Sequence, residues 1–143
     1  IWSIKKFAAL ADALSKNFRV RVIIMCGPGE ESGLAEIKSL ARESHLFLQV
    51  TSLQILAAIL KKARLFIGND SAPKHFSVAM GTPSVTILSP ATVREWHPYD
   101  LSKHKIVPDT PYCPVCGKTN CLKHDEIPDI PVEEVIKKAG ELL

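Results

Sequence analysis

An α/β fold, with a parallel sheet covered by helices on both faces, is predicted by three features of this 143-residue sequence. Strand-like and helix-like stretches alternate at least three times. The strand-like stretches are short apolar runs, as expected for strands buried on both sides. Several of them end in a turn built from Gly, Asn, Asp or Ser that opens a helix. Successive units of this kind connect right-handedly, which brings all the strand-to-helix turns to one sheet edge, where ligands of such folds bind.

Taken in order, Trp2, Phe7, Leu10, Ala11 and Leu14 recur at helical spacing over residues 2–17, with Lys5, Lys6, Asp12 and Lys16 on the other side. The segment 19–26 (RVRVIIMC) is β-branched and reads as a strand, and Gly27-Pro28-Gly29-Glu30-Glu31 turns the chain into a helix carrying Leu34, Ile37, Leu40 and Ala41. Residues 46–50 form a second strand. Thr51 and Gln54 then have capping-box spacing before a helix bearing Leu53, Leu56, Ala57, Leu60 and Ala63.

The central stretch follows: Leu65-Phe66-Ile67 as strand, Gly68-Asn69-Asp70-Ser71 as turn, and a helix from Ala72-Pro73-Lys74-His75 to Met80. Asp70 or Ser71 suits the N-cap, Pro73 the first turn and Gly81 a left-handed stop, with Pro83 barring continuation. Residues 84–89 and 104–107 supply further strands, and residues 131–143 a last amphipathic helix.

Composition narrows the function. A net charge of +3 argues against nucleic acid as a partner. No apolar run reaches the length of a membrane span, and no secretory signal opens the chain. The sequence begins inside a helix and without Met, which suggests a piece of a longer protein.

The turns at 27–30, 51–52, 69–75 and 89–94 should converge on one edge, and the helix N-terminus at 71–75 makes an outline anion site. Each candidate there also has a plainer reading. Asp70 and Ser71 serve equally as helix caps, and Lys74 and His75 as surface residues. Glu30 fits a ribose-holding carboxylate or a first-turn acid. Thr51 and Ser52 fit a cap.

Between residues 108 and 128 the chain is rich in Pro and Cys. There Cys113, Cys116, Cys121 and His124 have the C-x2-C-x4-C-x2-H spacing of a structural zinc site. The alternative is a loop of unligated thiols, as expected in a reducing compartment. Cys26 reads as a small core residue at a strand end.

Gly68-Asn69-Asp70-Ser71-Ala72-Pro73-Lys74-His75 with Ala79-Met80-Gly81-Thr82-Pro83 resembles the signature of the ADP-heptose:lipopolysaccharide heptosyltransferases, glycosyltransferase family nine. The likeness extends along the chain, through Trp2, Cys26-Gly27-Pro28-Gly29-Glu30, Thr51-Ser52-Leu53, Ser89-Pro90-Ala91-Thr92, Trp96-His97-Pro98-Tyr99 and Cys121-Leu122. It covers only the C-terminal half of the family's two-domain GT-B architecture, a Rossmann-like domain that binds the nucleotide sugar. The N-terminal acceptor domain, which carries the catalytic base, would be missing.

What the resemblance implies is an inverting transfer of heptose from ADP-heptose to the lipopolysaccharide inner core, without a required metal cofactor, in the cytoplasm or peripherally at the cytoplasmic face of the inner membrane. By motif, Glu30 would hold the ribose, Thr51 and Ser52 would lie near the adenine, Asp70 would meet the sugar, and Ser71, Ala72 and His75 the diphosphate. Ala72 replaces a usual Gly. Lys74 replaces a usual apolar residue, and either adds a cation at the phosphates or points to solvent. No catalytic residue would lie in this chain, which alone would bind nucleotide sugar weakly and turn nothing over. The alternative is a non-enzymatic α/β module whose zinc-stapled Cys/His loop contacts protein or RNA.

Overall fold

The computed structural model describes residues 1–89, 97, 99–109, 116–117 and 129–143. Within them the elements run α1 (Ile4–Phe18), β1 (Ile23–Cys26), α2 (Glu31–Leu40), β2 (Leu46–Gln49), α3 (Leu53–Lys62), β3 (Phe66–Asn69), α4 (Ala72–Ala79), β4 (Ser84–Ile87), β5 (His104–Val107) and α5 (Val132–Gly140). Every described strand pairing is parallel, as the alternation of elements predicts.

The strands form two ladders where the sequence suggests one sheet. β1 pairs with β2, and β3, β4 and β5 pair in that order. Side-chain burial joins the two. Val20 and Val22, just before β1, pack into the same core as Leu65 and Ile67, and Met25 packs in a second core with Phe66. The first strand is also shorter than the β-branched run 19–26. Arg19 closes α1 in a left-handed conformation (φ 53°), and ladder pairing starts only at Ile23.

Helices cover both faces, and strand alternation decides which residue meets which. Val85, Ile87 and Val107 pack with Leu10 and Leu14 of α1 and Val135 and Ala139 of α5. The opposite face carries Phe66, which packs with Phe76 of α4 and with Leu56 and Leu60 of α3. The register sets Phe66 beside Ser84 and Gly68 beside Thr86, so both β4 hydroxyls lie on the α4 side. The four residues Ser84-Val85-Thr86-Ile87 are all buried, with an apolar face toward α1 and α5 and a polar face toward α4.

Two ties position the edge that matters. The Trp2 indole N–H donates to the Ile130 carbonyl (2.9 Å) and its backbone N–H to Asn69 Oδ1 (3.1 Å), so the start of the chain is held against the end of β3. The end of α4 is fixed by Gly81 at φ 76° and by Thr82. The Thr82 amide donates to the Ser77 carbonyl (2.8 Å) and its hydroxyl to the Leu60 carbonyl (2.6 Å) at the end of α3. The Gly-Thr-Pro punctuation thus locks α4 to α3 as well as stopping the helix. No helix among the described residues is long and apolar enough to cross a membrane.

Two substitutions test this packing. A Cβ on Gly68 would come 2.7 Å from the tip of the Phe66 ring, which lies across the strand. Gly68→Ala should therefore cost roughly 1–3 kcal/mol as the ring is displaced. The Thr86 hydroxyl is buried with no hydrogen-bond partner among the described residues. Thr86→Val keeps the shape and removes the orphaned group, so it should raise stability by about 1 kcal/mol. Urea unfolding of both variants checks the pair, and a destabilised Thr86→Val protein would show that the hydroxyl is satisfied.

Candidate functional site

The loops that follow β1 and β3 have opposite chemical character. After β1, Gly29 takes the left-handed conformation (φ 87°) that a tight turn requires. This turn fills its own donors: the Gly27 N–H donates to Glu30 Oε2 (2.8 Å) and the Gly29 N–H to Glu31 Oε1 (3.0 Å). The Gln49 side-chain amide at the end of β2 also donates to Glu31. The Gly29 N–H holds the exposed Glu31 carboxyl below its usual range. The result is an exposed, preorganised pair of carboxylates that offers acceptors. Cys26 ends β1 buried, as its apolar surroundings predict, and burial, aided by Glu31 and Glu30, pushes its thiol up.

After β2, Thr51 is exposed and Ser52 is the N-cap of α3, its hydroxyl accepting from the Ile55 N–H (3.3 Å). The capping box expected from Thr51 and Gln54 is therefore not formed. The cap falls one residue later, which places Gln54 two residues after it instead of three.

After β3 the turn leaves donors unfilled. Asp70 donates its N–H to the Ile87 carbonyl (3.1 Å), which pins the turn to the end of β4. Ser71 is the N-cap of α4 by backbone conformation only, because its hydroxyl turns back to the Asn69 carbonyl (3.3 Å). Neither the Ser71 nor the Ala72 N–H finds an acceptor among the described residues, and both residues are exposed. Two free amides at a helix N-terminus, with the dipole behind them, suit an anion.

Lys74 behaves differently from both sequence-level expectations. It is wholly buried, so it does not point to solvent. Its ammonium pairs with Asp70 and lies 5.9 Å from the centre of the Tyr99 ring. Asp70 itself is half-buried at the mouth of the turn.

His75, also half-buried, hydrogen-bonds through Nδ1 to the Tyr99 hydroxyl. Tyr99 in turn sits edge-on to three imidazoles, with ring centres 5.8 Å from His75, 5.4 Å from His97 and 5.9 Å from His104. His97 Nε2 donates to the His104 carbonyl (2.9 Å), and His104 Nδ1 meets the Ser84 hydroxyl (3.0 Å). Lys74, Ser77, Ser84, Thr86, His97 and His104 are all buried. A polar layer therefore underlies the turn after β3.

The structure brings Asp70, Ser71, Ala72, Lys74 and His75 together in one turn and helix start. It places Glu30 in a separate turn, joined to the others by no hydrogen bond among the described residues. Sequence reasoning does not single out Gln49, Glu31, Tyr99 or His104 as site residues. A signal for Tyr99 was present, since His97 and Tyr99 follow β4 on the ligand edge. Of the zinc-spaced group, Cys116 is exposed, whereas Cys113, Cys121 and His124 lie outside the described residues, as does most of the 108–128 loop and of the 89–94 turn. No cluster of three or more metal-ligating side chains occurs among the described residues.

The family model of glycosyltransferase family 9 (heptosyltransferase) matches residues 1–125. The chain belongs to that family. Among its relatives, lipooligosaccharide heptosyltransferase 2 of Campylobacter jejuni is 28% identical over 148 residues, covering 99% of this chain and 46% of its own length. Lipopolysaccharide heptosyltransferase 3 of Escherichia coli K12 is 31% identical over 103 residues, covering 68% of this chain and 29% of its own. The chain thus spans less than half the length of these relatives.

A crystal structure of a family 9 glycosyl transferase from Veillonella parvula superposes with a TM-score of 0.68 at 19% identity, over 99% of this chain and 41% of that one. The family 9 fold therefore accommodates this chain's parallel α/β architecture, with Asp70 to His75 at a sheet edge.

The polar layer makes stability pH-dependent. Burial holds His97 below its ordinary 6.5, helped by the positive charge of Lys74, although the His104 carbonyl pulls the other way. Burial likewise lowers His104, against the pull of Asp100. The unfolded chain then takes up protons first as pH falls through about 6.5, and the folded state loses stability. The urea midpoint should drop between pH 7.5 and 5.5, and drop less in His97→Gln. An equal drop in that variant would remove His97 from the account.

Proposed function

We propose that this chain is the C-terminal, donor-binding domain of an inverting glycosyltransferase that moves heptose from ADP-heptose to the lipopolysaccharide inner core. An acceptor domain outside residues 1–143 would supply the acceptor surface and the catalytic base. The observation that carries the reading is the pair of amides at Ser71 and Ala72 that find no acceptor among the described residues, with His75 and Asp70 beside them. Breaking the sugar–phosphate bond leaves negative charge on the departing diphosphate. Donors fixed in advance at that position stabilise the transition state more than the bound substrate.

In this reading the two turns divide the donor between them. Glu30 accepts from the ribose hydroxyls, its carboxylate already held by the Gly27 N–H. The Ser71 and Ala72 amides and His75 bind the diphosphate, and Asp70 faces the sugar. Thr51 and Ser52 lie near the base. Lys74 holds Asp70 in place from within the protein. Helix end and imidazole take the part that a divalent ion plays in metal-dependent transferases, so none is needed here. The names of the relatives, both heptosyltransferases acting on lipooligosaccharide or lipopolysaccharide, support heptose and that acceptor. The setting is the cytoplasm or the cytoplasmic face of the inner membrane.

Titration with ADP, UDP and ADP-heptose, followed by amide chemical shifts, tests the assignment. Residues 27–31 and 69–75 should move, and more for ADP-heptose than for UDP. Glu30→Gln should weaken ADP binding roughly 2- to 10-fold, the worth of one exposed hydrogen bond. Amides at 27–31 and 69–75 that stay still at millimolar ligand would refute the donor site.

A further inference from the structure

We propose that Tyr99 is a positioning residue of the anion site, which sets the tautomer of His75 so that its second ring nitrogen carries the hydrogen; the inference rests on the donor-site reading above. Tyr99 reaches His75 from 24 residues away, and its hydroxyl meets Nδ1. A neutral imidazole has one donor and one acceptor nitrogen, and the partner of one nitrogen dictates the state of the other.

Two arrangements satisfy this contact. If Nδ1–H donated to the phenol oxygen, the phenol hydrogen would need another acceptor, and none is found for it among the described residues. If the hydroxyl donates to Nδ1, that hydrogen is satisfied and the proton of the ring sits on Nε2. Nε2 makes no hydrogen bond among the described residues, and His75 is half-exposed. The second arrangement therefore leaves one N–H free at the first turn of α4, where the Ser71 and Ala72 amides are also free.

The surroundings hold the phenol in place. Its ring is packed edge-on against His97 and His104, both buried, and the Lys74 ammonium lies 5.9 Å from its centre. His97 is tied to the His104 carbonyl and His104 to Ser84, so this backing is anchored on β4 and β5. The ligand class served is the diphosphate of a nucleotide, for which a neutral N–H donor is useful and an imidazole lone pair would be repulsive.

The test reads the tautomer and the ligand separately. Imidazole nitrogen shifts of the protein at pH 8, with the His75 signals identified by their loss in His75→Gln, should show a pyridine-like Nδ1 and a pyrrole-like Nε2. Tyr99→Phe keeps the ring but removes the hydroxyl. It should mix the two tautomers and raise the Kd for ADP roughly 2- to 10-fold, while leaving the affinity for adenosine unchanged. A pyrrole-like Nδ1 in the unaltered protein overturns the proposal, and needs no variant to fold. So does a Tyr99→Phe protein with unchanged His75 shifts or unchanged ADP affinity, or one that loses adenosine and ADP affinity alike. If the unaltered protein binds no ADP, the donor-site reading falls; the His75 shifts, read without ligand, then decide separately whether Tyr99 sets the tautomer, and a pyrrole-like Nδ1 overturns that too.

Discussion

A lysine with no exposed surface forces much of what surrounds it. Taking an ammonium out of water costs several kcal/mol unless an anion stands beside it. Asp70, one turn earlier on the same strand-turn-helix unit, is a carboxylate paired with Lys74. Asp70 is therefore confined to a single place at the end of β3, and its backbone is pinned to β4 by the Ile87 carbonyl. The buried layer beside Lys74 is polar as well: the Ser77 hydroxyl donates to the Lys74 carbonyl (2.7 Å), and the Ser84 hydroxyl meets His104 Nδ1 (3.0 Å).

The two turns show how one topology yields opposite electrostatics. Both follow a parallel strand and open a helix, so both begin with amides pointing at the ligand edge. The sequence after β1 places two glutamates where they fold back onto those amides, converting a donor surface into an acceptor surface. The sequence after β3 has a serine that turns away and an alanine with nothing to offer, so the donors stay open. A nucleotide has hydroxyl donors at one end and phosphate acceptors at the other. In the proposed donor reading, the turn after β1 would meet the hydroxyls and the turn after β3 the phosphates.

Most of the architecture could be read from residue order, because alternating elements with capping residues leave few arrangements open. Boundaries were less legible where two signals competed. The run from Arg19 to Cys26 reads as one strand, with β-branched Val20, Val22, Ile23 and Ile24, yet its first four residues connect α1 to the ladder instead of pairing in it. Ser84-Val85-Thr86-Ile87 alternates like a strand with one wet face, but both of its faces are buried. What the alternation could not reveal was that α4 covers the polar face, with Lys74 and Ser77 buried in the same layer. In the site, the Asp70–His75 cluster was legible because it is contiguous. The contacts of Tyr99 with His75 and with His104 were not, since these residues lie apart in the sequence and meet only in the fold.

The hydrogen bond from the Trp2 amide to Asn69 has a mechanical consequence. It ties the second residue of the chain to the residue immediately before Asp70, while the indole of the same Trp2 is anchored at Ile130 ahead of α5. Force applied through the N-terminus, or a swing of any polypeptide attached there, is thus delivered first to the end of β3. The first structural joint to feel such a load is the one that holds the aspartate.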